Sequence, residues 1–185
     1  MKTLRNLALS GAVLLTAMLS SATISAQDAK TPVLTDAEIA SVAVTANQVD
    51  INYAAIALKK STNKEVKNFA TTMKNDHQAV IDLAVALVTK LKVTPKDNAV
   101  SKSIMDGATK EKAVLNAKKG NSFDKAYIDN EVAYHKFAIN AVENILIPQA
   151  KNSELKALLV KVLPAFKTHL EHAEMIQKKF NGQKK

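Results

Sequence analysis

Three of the four histidines and one aspartate occupy positions where a helical pattern asks for apolar core residues: Asp50, His77, His135 and His169. Each falls near the middle of a different predicted helix. Glu131 lies one turn before His135 on the same face, the i, i+4 spacing at which two side chains share a partner. Neutral imidazoles with a carboxylate suit a single transition-metal ion such as Zn, Cu, Mn or Fe, and helical proteins build such sites from facing helices. The same residues also suit a buried polar network. Each ring nitrogen would then be satisfied by a carboxylate, by Tyr53, Tyr127 or Tyr134, or by water. At the level of sequence both readings stand.

Other chemistry is less well supported. Asp50 and Glu131 as paired acid–base carboxylates would need a substrate cleft, and neither a cleft nor a glycine-rich loop is readable. The serines sit at caps and in loops, which argues against a serine nucleophile. His172, one turn from His169 and slightly off its stripe, reads as a flanking residue or an auxiliary ligand. Asp76 should point to the helix edge, and Phe69, Met73 and Phe166 should belong to the core.

The elements that must position these residues are helices. Thr35 and Glu38 form a capping box that opens a helix to about Lys60, with Ile39, Ala43, Ala46, Asp50, Tyr53 and Ala57 on one stripe. Asn63 caps a second helix, about Lys64 to Lys92, whose seam is Val66, Ala70, Met73, His77, Val80, Ala84, Leu87 and Leu91. Pro95 follows its end. A weaker helical stretch, about Ala99 to Lys119, carries Gly107 and a thin apolar stripe. Ser122 is expected to cap the next helix, Phe123 to about Gln149, with Tyr127, Glu131, His135, Ala138, Val142 and Ile145 aligned. Pro148 should disturb its last turn. Asn152-Ser153 opens a last helix to Phe180, on which Pro164 should cause a kink.

Connection lengths then set the topology. Short turns join the first helix to the second and the fourth to the last, so each pair must be antiparallel, while the nearly 30 residues between the pairs suffice for a crossover. The expected fold is all-α: a ferritin-like four-helix bundle of two antiparallel hairpins, with an extra short helix in the crossover. Asp50, His77, His135 and His169 lie about 13 to 16 residues from their helix starts, so their depths agree to within roughly 5 Å. All four should meet at one level.

Residues 1–26 read as a secretory signal peptide: a basic start, an apolar run from Leu7 to Leu19 and a small-residue site with cleavage after Ala26. That run is shorter than the roughly 20 residues a membrane-spanning helix needs, and no later segment approaches that length. Residues 27–34 read as a disordered lead, 35–180 as one domain and 181–185 as a frayed tail. The chain has no cysteine, so thiolate chemistry and disulfides are excluded. Its net charge is +9, almost wholly lysine, with Arg5 the only arginine. Without the arginine fork, specific nucleic-acid recognition is a poor reading. A solvated lysine face, with weak attraction to anionic envelope polymers or lipids, is a better one.

The segment Val66-Lys67-Asn68-Phe69-Ala70-Thr71-Thr72-Met73-Lys74-Asn75-Asp76-His77 resembles the signature of the bacterial exported family called domain of unknown function 4142. Phe123-Asp124 with Tyr127 and His135, then Leu163-Pro164 with His169-Leu170 and Ala173, resemble its two later motifs. The resemblance covers about Thr35 to Phe180. It implies a ferritin-like helical fold and an exported protein, since members are often labelled outer-membrane proteins, and it implies no activity. Asp50 stands where members often have Glu. Di-iron ferritin-like proteins carry Glu-x-x-His on two helices, and here no histidine has a Glu three residues before it. A dinuclear centre is therefore not expected.

Two functional readings follow. In the first, the chain is a non-enzymatic, periplasmic or outer-membrane-associated helical protein with a binding or stress-related role. In the second, it is a mononuclear metal-binding protein for storage, sensing or redox protection, using Asp50, His77, His135 and His169 with Glu131 beside them.

Overall fold

A computed structural model describes residues 32–182, and these are all-α, with no strand among them. Helix α1 spans Asp36–Lys60, α2 Lys64–Lys90, α3 Ala99–Ala117 and α4 Gly120–Ala141. The last runs through a π turn, Val142–Leu146, into a short α5, Ile147–Gln149, and α6 spans Ser153–Gly182. The signal segment, most of the lead and residues 183–185 lie outside the described residues. No described helix is long and apolar enough to cross a membrane.

The capping box at Thr35 and Glu38 and the Asn63 cap form as the sequence predicts. Asn152 likewise opens α6, its Oδ1 accepting from the amides of Glu154 and Leu155. Ser122 does not cap α4. That helix starts two residues earlier than Ser122, at Gly120, whose φ of +53° is the left-handed turn that glycine makes without strain. The Ser122 hydroxyl instead donates to the Lys119 carbonyl at 2.8 Å. Pro148 lies just past the π turn, in which the Ile147 amide reaches back five residues to the Val142 carbonyl. A proline lacks its own amide hydrogen and crowds the carbonyl four residues before it, and a widened turn relieves both problems. Pro164, by contrast, leaves α6 continuous.

Two expectations at the ends need correction. The lead is not free over residues 32–34: Leu34 is buried, its amide donates to Gln149 Oε1 at 2.6 Å, and Gln149 Nε2 donates to the Pro32 carbonyl at 2.9 Å. One side-chain amide thus satisfies both a donor and an acceptor of an extended segment. At the other end α6 continues through Asn181 and Gly182, past the expected fraying point at Phe180.

The crossover is pinned at both ends to α1. The Lys96 amide donates to the Ala37 carbonyl, Ser41 Oγ to Asp97 Oδ1 and Asn98 Nδ2 to the Glu38 carbonyl, while Lys60 Nζ donates to the carbonyls of Leu115 and Asn116. The lysine thereby supplies positive charge and hydrogen bonds to the open end of α3. Helix α3 therefore runs parallel to α1 and returns the chain along its length. It also explains why α1 is buried more widely than its predicted stripe, at Val42, Val49, Ile51 and Ala54 among others. Helix α1 packs on α2, α4 on α6, α2 on α6 and α1 on α4. Ion pairs Lys90–Glu154 and Lys179–Glu65 join opposite ends of α2 and α6, so those two are antiparallel. These exposed pairs add little stability. The core draws on every long helix: Val66, Ala70 and Met73 of the predicted α2 seam pack in one cluster with Ile39 and Tyr53 of α1, Leu115 of α3, Phe123 and Tyr127 of α4, and Phe166 and Ile176 of α6.

Candidate metal centre

The five residues singled out by pattern are all buried: Asp50 and Glu131 are 0 % exposed, His135 1 %, His77 3 % and His169 4 %. What matters chemically is how each ring is held. Asn47, one turn before Asp50 on α1, donates through Nδ2 to the Ala43 carbonyl at 2.8 Å. This orientation leaves Asn47 Oδ1 to accept from His77 Nδ1 at 2.7 Å. His135 Nδ1 donates to the backbone carbonyl of Glu131 at 3.0 Å, a bond built into the i, i+4 spacing of α4. His169 Nε2 donates to Asp76 Oδ2 at 2.9 Å, from α6 to α2. Each imidazole thus has one nitrogen fixed as a donor, and the other carries the lone pair.

The three remaining nitrogens, His77 Nε2, His135 Nε2 and His169 Nδ1, are buried and find no hydrogen-bonding partner among the described residues. One ring nitrogen from each of the three histidines lies within 4.8 Å of those of the other two. The rings form an almost equilateral triangle, with centroids 5.3, 5.4 and 5.5 Å apart, and His77 stacks on Phe166 at 5.3 Å. Three imidazoles bound tetrahedrally to one ion at 2.0–2.1 Å would place their centroids roughly 5.2 Å apart. Asp50 Oδ2 lies beside them, 3.6 Å from His77 Nε2 and 3.8 Å from His135 Nε2, where it would be the fourth donor to an ion held by the rings. Ligand atoms of a tetrahedral ion are separated by roughly 3.3–3.4 Å, so the two Asp50 contacts stand within a few tenths of an ångström of that spacing, while the imidazole nitrogens, up to 4.8 Å apart, would draw together around an ion.

Burial sets the charge states. It drives the His77 imidazole well below its ordinary value, helped by the neighbouring rings, and lowers His135 to about 4 against the pull of the Glu131 carbonyl. His169 is lowered by burial too, in part opposed by Asp76. The rings are therefore neutral at pH 7, the state in which imidazole is a ligand. Burial raises Asp50 to about 8, and burial plus the charge of Asp50 raises Glu131 well above the usual carboxylate range. Two adjacent buried carboxylates cannot both ionise without a counter-charge. A divalent cation would supply it, because its charge and theirs sum to zero.

The pattern of the sequence brings Asp50, His77, His135 and His169 together at one level, with Glu131 beside Asp50 and 3.5 Å from His135 Nδ1. His172 does not join them. Its ring packs edge-on against Phe69 at 5.2 Å, so it flanks the centre. Asp76 does lie at the helix edge, half-exposed, yet from there it orients His169, a role the sequence reading missed. Asn47 was missed as well. Its only signal was an amide one turn from Asp50 on a face otherwise apolar.

Comparison with known proteins agrees with this architecture. The family described as "Domain of unknown function (DUF4142)" matches residues 20–176, and the chain belongs to that family. Its fold is similar to that of "CopM in the Cu(II)-bound form", with a TM-score of 0.62 at 16 % identity over 80 % of this chain and 98 % of that one. No curated protein matches the chain.

Proposed function

We propose that this protein is an exported, ferritin-like four-helix protein of the bacterial envelope that binds one transition-metal ion, Cu(II) foremost, through His77, His135, His169 and Asp50. Glu131 stands behind Asp50 as the second negative charge. The observation that carries the reading is the set of three unpartnered imidazole nitrogens facing one another, each on a ring whose other nitrogen is already held. A carboxylate or carbonyl behind each ligating histidine is how proteins orient metal ligands. No protein group satisfies these three lone pairs, and each costs about 1–3 kcal/mol when buried without a partner, a deficit that a bound ion would relieve.

Nitrogen-rich donors bind Cu(II) more tightly than the other divalent first-row ions, whereas a tetrahedral arrangement suits Zn(II), so the two ions are the ones to compare. The Cu(II)-bound neighbour of similar fold lends support to placing Cu(II) first. Four protein donors would complete the shell, which suits holding an ion rather than turning over a substrate. Export, periplasmic or outer-membrane location and weak lysine-driven contact with anionic envelope polymers or lipids belong to this proposal. They rest on the signal-like start, the basic surface and the family resemblance.

The test is a titration of the purified, metal-free protein with Cu(II), with Zn(II) in parallel. One equivalent should bind and raise the melting temperature, and His77→Ala should abolish the rise while the circular dichroism remains helical. No shift with either ion, together with no metal in the protein isolated from its own cells, would sink the reading.

A further inference from the structure

Ligands this deeply buried need a path to solvent. A cleft of about 360 Å³ opens between α1, α3 and α4. Tyr53, Gly107, Glu111, Asn130, Tyr134 and Phe137 line it. Three of its lining residues lie close to the candidate ligands along the chain. Tyr53 lies one turn beyond Asp50 on α1, and Asn130 and Tyr134 sit beside Glu131 and His135 on α4. The Asn130 side-chain nitrogen is buried and has no partner among the described residues.

We infer that this cleft is the path by which the ion reaches the centre, with Glu111 as the first carboxylate it meets and Asp50 and Glu131 as the next. The inference rests on the metal-binding reading. Support comes from two rings that line the cleft: Tyr53 meets Tyr134 edge-on at 5.6 Å, and Tyr134 in turn meets the His135 ring edge-on at 6.4 Å. One tyrosine of the cleft therefore touches a ligand ring of the centre directly. A chain of net charge +9 repels cations overall, so a local acidic recess matters for their approach. Lys118 near Glu111 partly offsets that attraction. A Cβ at Gly107 would meet nothing within 4 Å, so the mouth has room for a larger side chain there.

A rival path runs past Asp76, which is 50 % exposed and touches His169. The two differ in kinetics. Cu(II) uptake by the full protein is followed by stopped-flow competition with a chromogenic chelator, and affinity is measured separately at equilibrium. Gly107→Phe should fill the cleft and slow uptake and release together by about 10-fold or more, leaving Kd within about two-fold, because a path changes rates and not the end states. Gly107→Ala, a better helix former, should fold as well or better and take up copper at nearly the wild-type rate. Glu111→Gln should slow uptake at low salt, with the difference vanishing at high salt.

Wild-type uptake rates in both Gly107→Phe and Glu111→Gln, from a protein that does bind copper, would overturn the path. So would acceleration by Asp76→Ala with the Gly107 variants unaffected, which would assign entrance to the rival side. A wild-type protein that binds no ion would instead overturn the metal reading, and the path would fall with it.

Discussion

Replacing Asn47 by alanine removes a residue that would never touch the ion, yet the cost to metal binding should be large. The Asn47 amide is clamped by its 2.8 Å bond to the Ala43 carbonyl and takes the His77 Nδ1 hydrogen at 2.7 Å. Without it the ring can rotate or change tautomer, and Nε2 loses both direction and basicity. Loss of such a partner costs about 10–100-fold in affinity. With wild-type Kd exceeded 100-fold by free metal, linkage gives about 2.7 kcal/mol of added stability; a 10-fold weaker site at the same metal gives about 1.4, and a 100-fold weaker one about 0.4. For a domain of this size the metal-induced rise in Tm should therefore fall from about 8 °C to about 4 °C or less. The metal-free variant should also be less stable by about 1–3 kcal/mol, because the His77 N–H is left buried and unpaired. Differential scanning calorimetry with and without Cu(II), paired with a chelator competition, separates the two effects. Asn47→Asp keeps the acceptor and should restore most of the affinity. A Kd for Asn47→Ala within two-fold of wild type would refute the reasoning, since His77 Nε2 could not then be a ligand oriented through Nδ1.

Asp76→Asn should weaken copper binding by about 10-fold or less, at the low end for an outer partner, because this aspartate is half in solvent and its field is screened; an affinity loss as large as that of Asn47→Ala would contradict this ranking. The metal-free protein should lose stability as pH rises from about 6.5 to about 8, read as a falling urea midpoint in the presence of chelator. Asp50 and Glu131 keep protons in the fold that the unfolded chain has released near pH 4, so their contribution is complete at low pH and is lost as pH climbs through the folded values. His77 and His135 act in the opposite sense, but only between their lowered folded values and 6.5, where they offset the carboxylates. Above 6.5 the carboxylates act alone. Asp50→Asn should flatten the slope, and an apoprotein that gains stability over this interval would show the assignment of protons to be wrong.

Much of the site was legible because two simple regularities coincide. Helical periodicity assigned His77 and His169 to the apolar seams of α2 and α6, and constant rise per residue placed them at the depth of Asp50 and His135. Short turns fixed the hairpins, and the long connection had to return along the fold, as α3 does beside α1. Local chemistry at Thr35, Glu38, Asn63 and Asn152 set where helices begin, since capping depends on neighbours three residues away or fewer.

What the sequence left open depends on side-chain directions across different helices, which no local spacing encodes. Asp76 points out of α2 by its own periodicity, and only the approach of α6 turns it into the anchor of His169. Asn47 acquires meaning because the Ala43 carbonyl holds its amide the right way round. The choice between a satisfied polar network and a set of free donor nitrogens likewise turns on ångström-scale distances among α1, α2, α4 and α6. Residue types and their spacing determined that this protein is helical and carries a histidine-rich layer through its middle. Which nitrogen of His77 and of His169 is left free was decided by tertiary packing, because the partner that fixes each tautomer comes from a neighbouring helix, whereas His135 is set within its own helix by the Glu131 carbonyl one turn away.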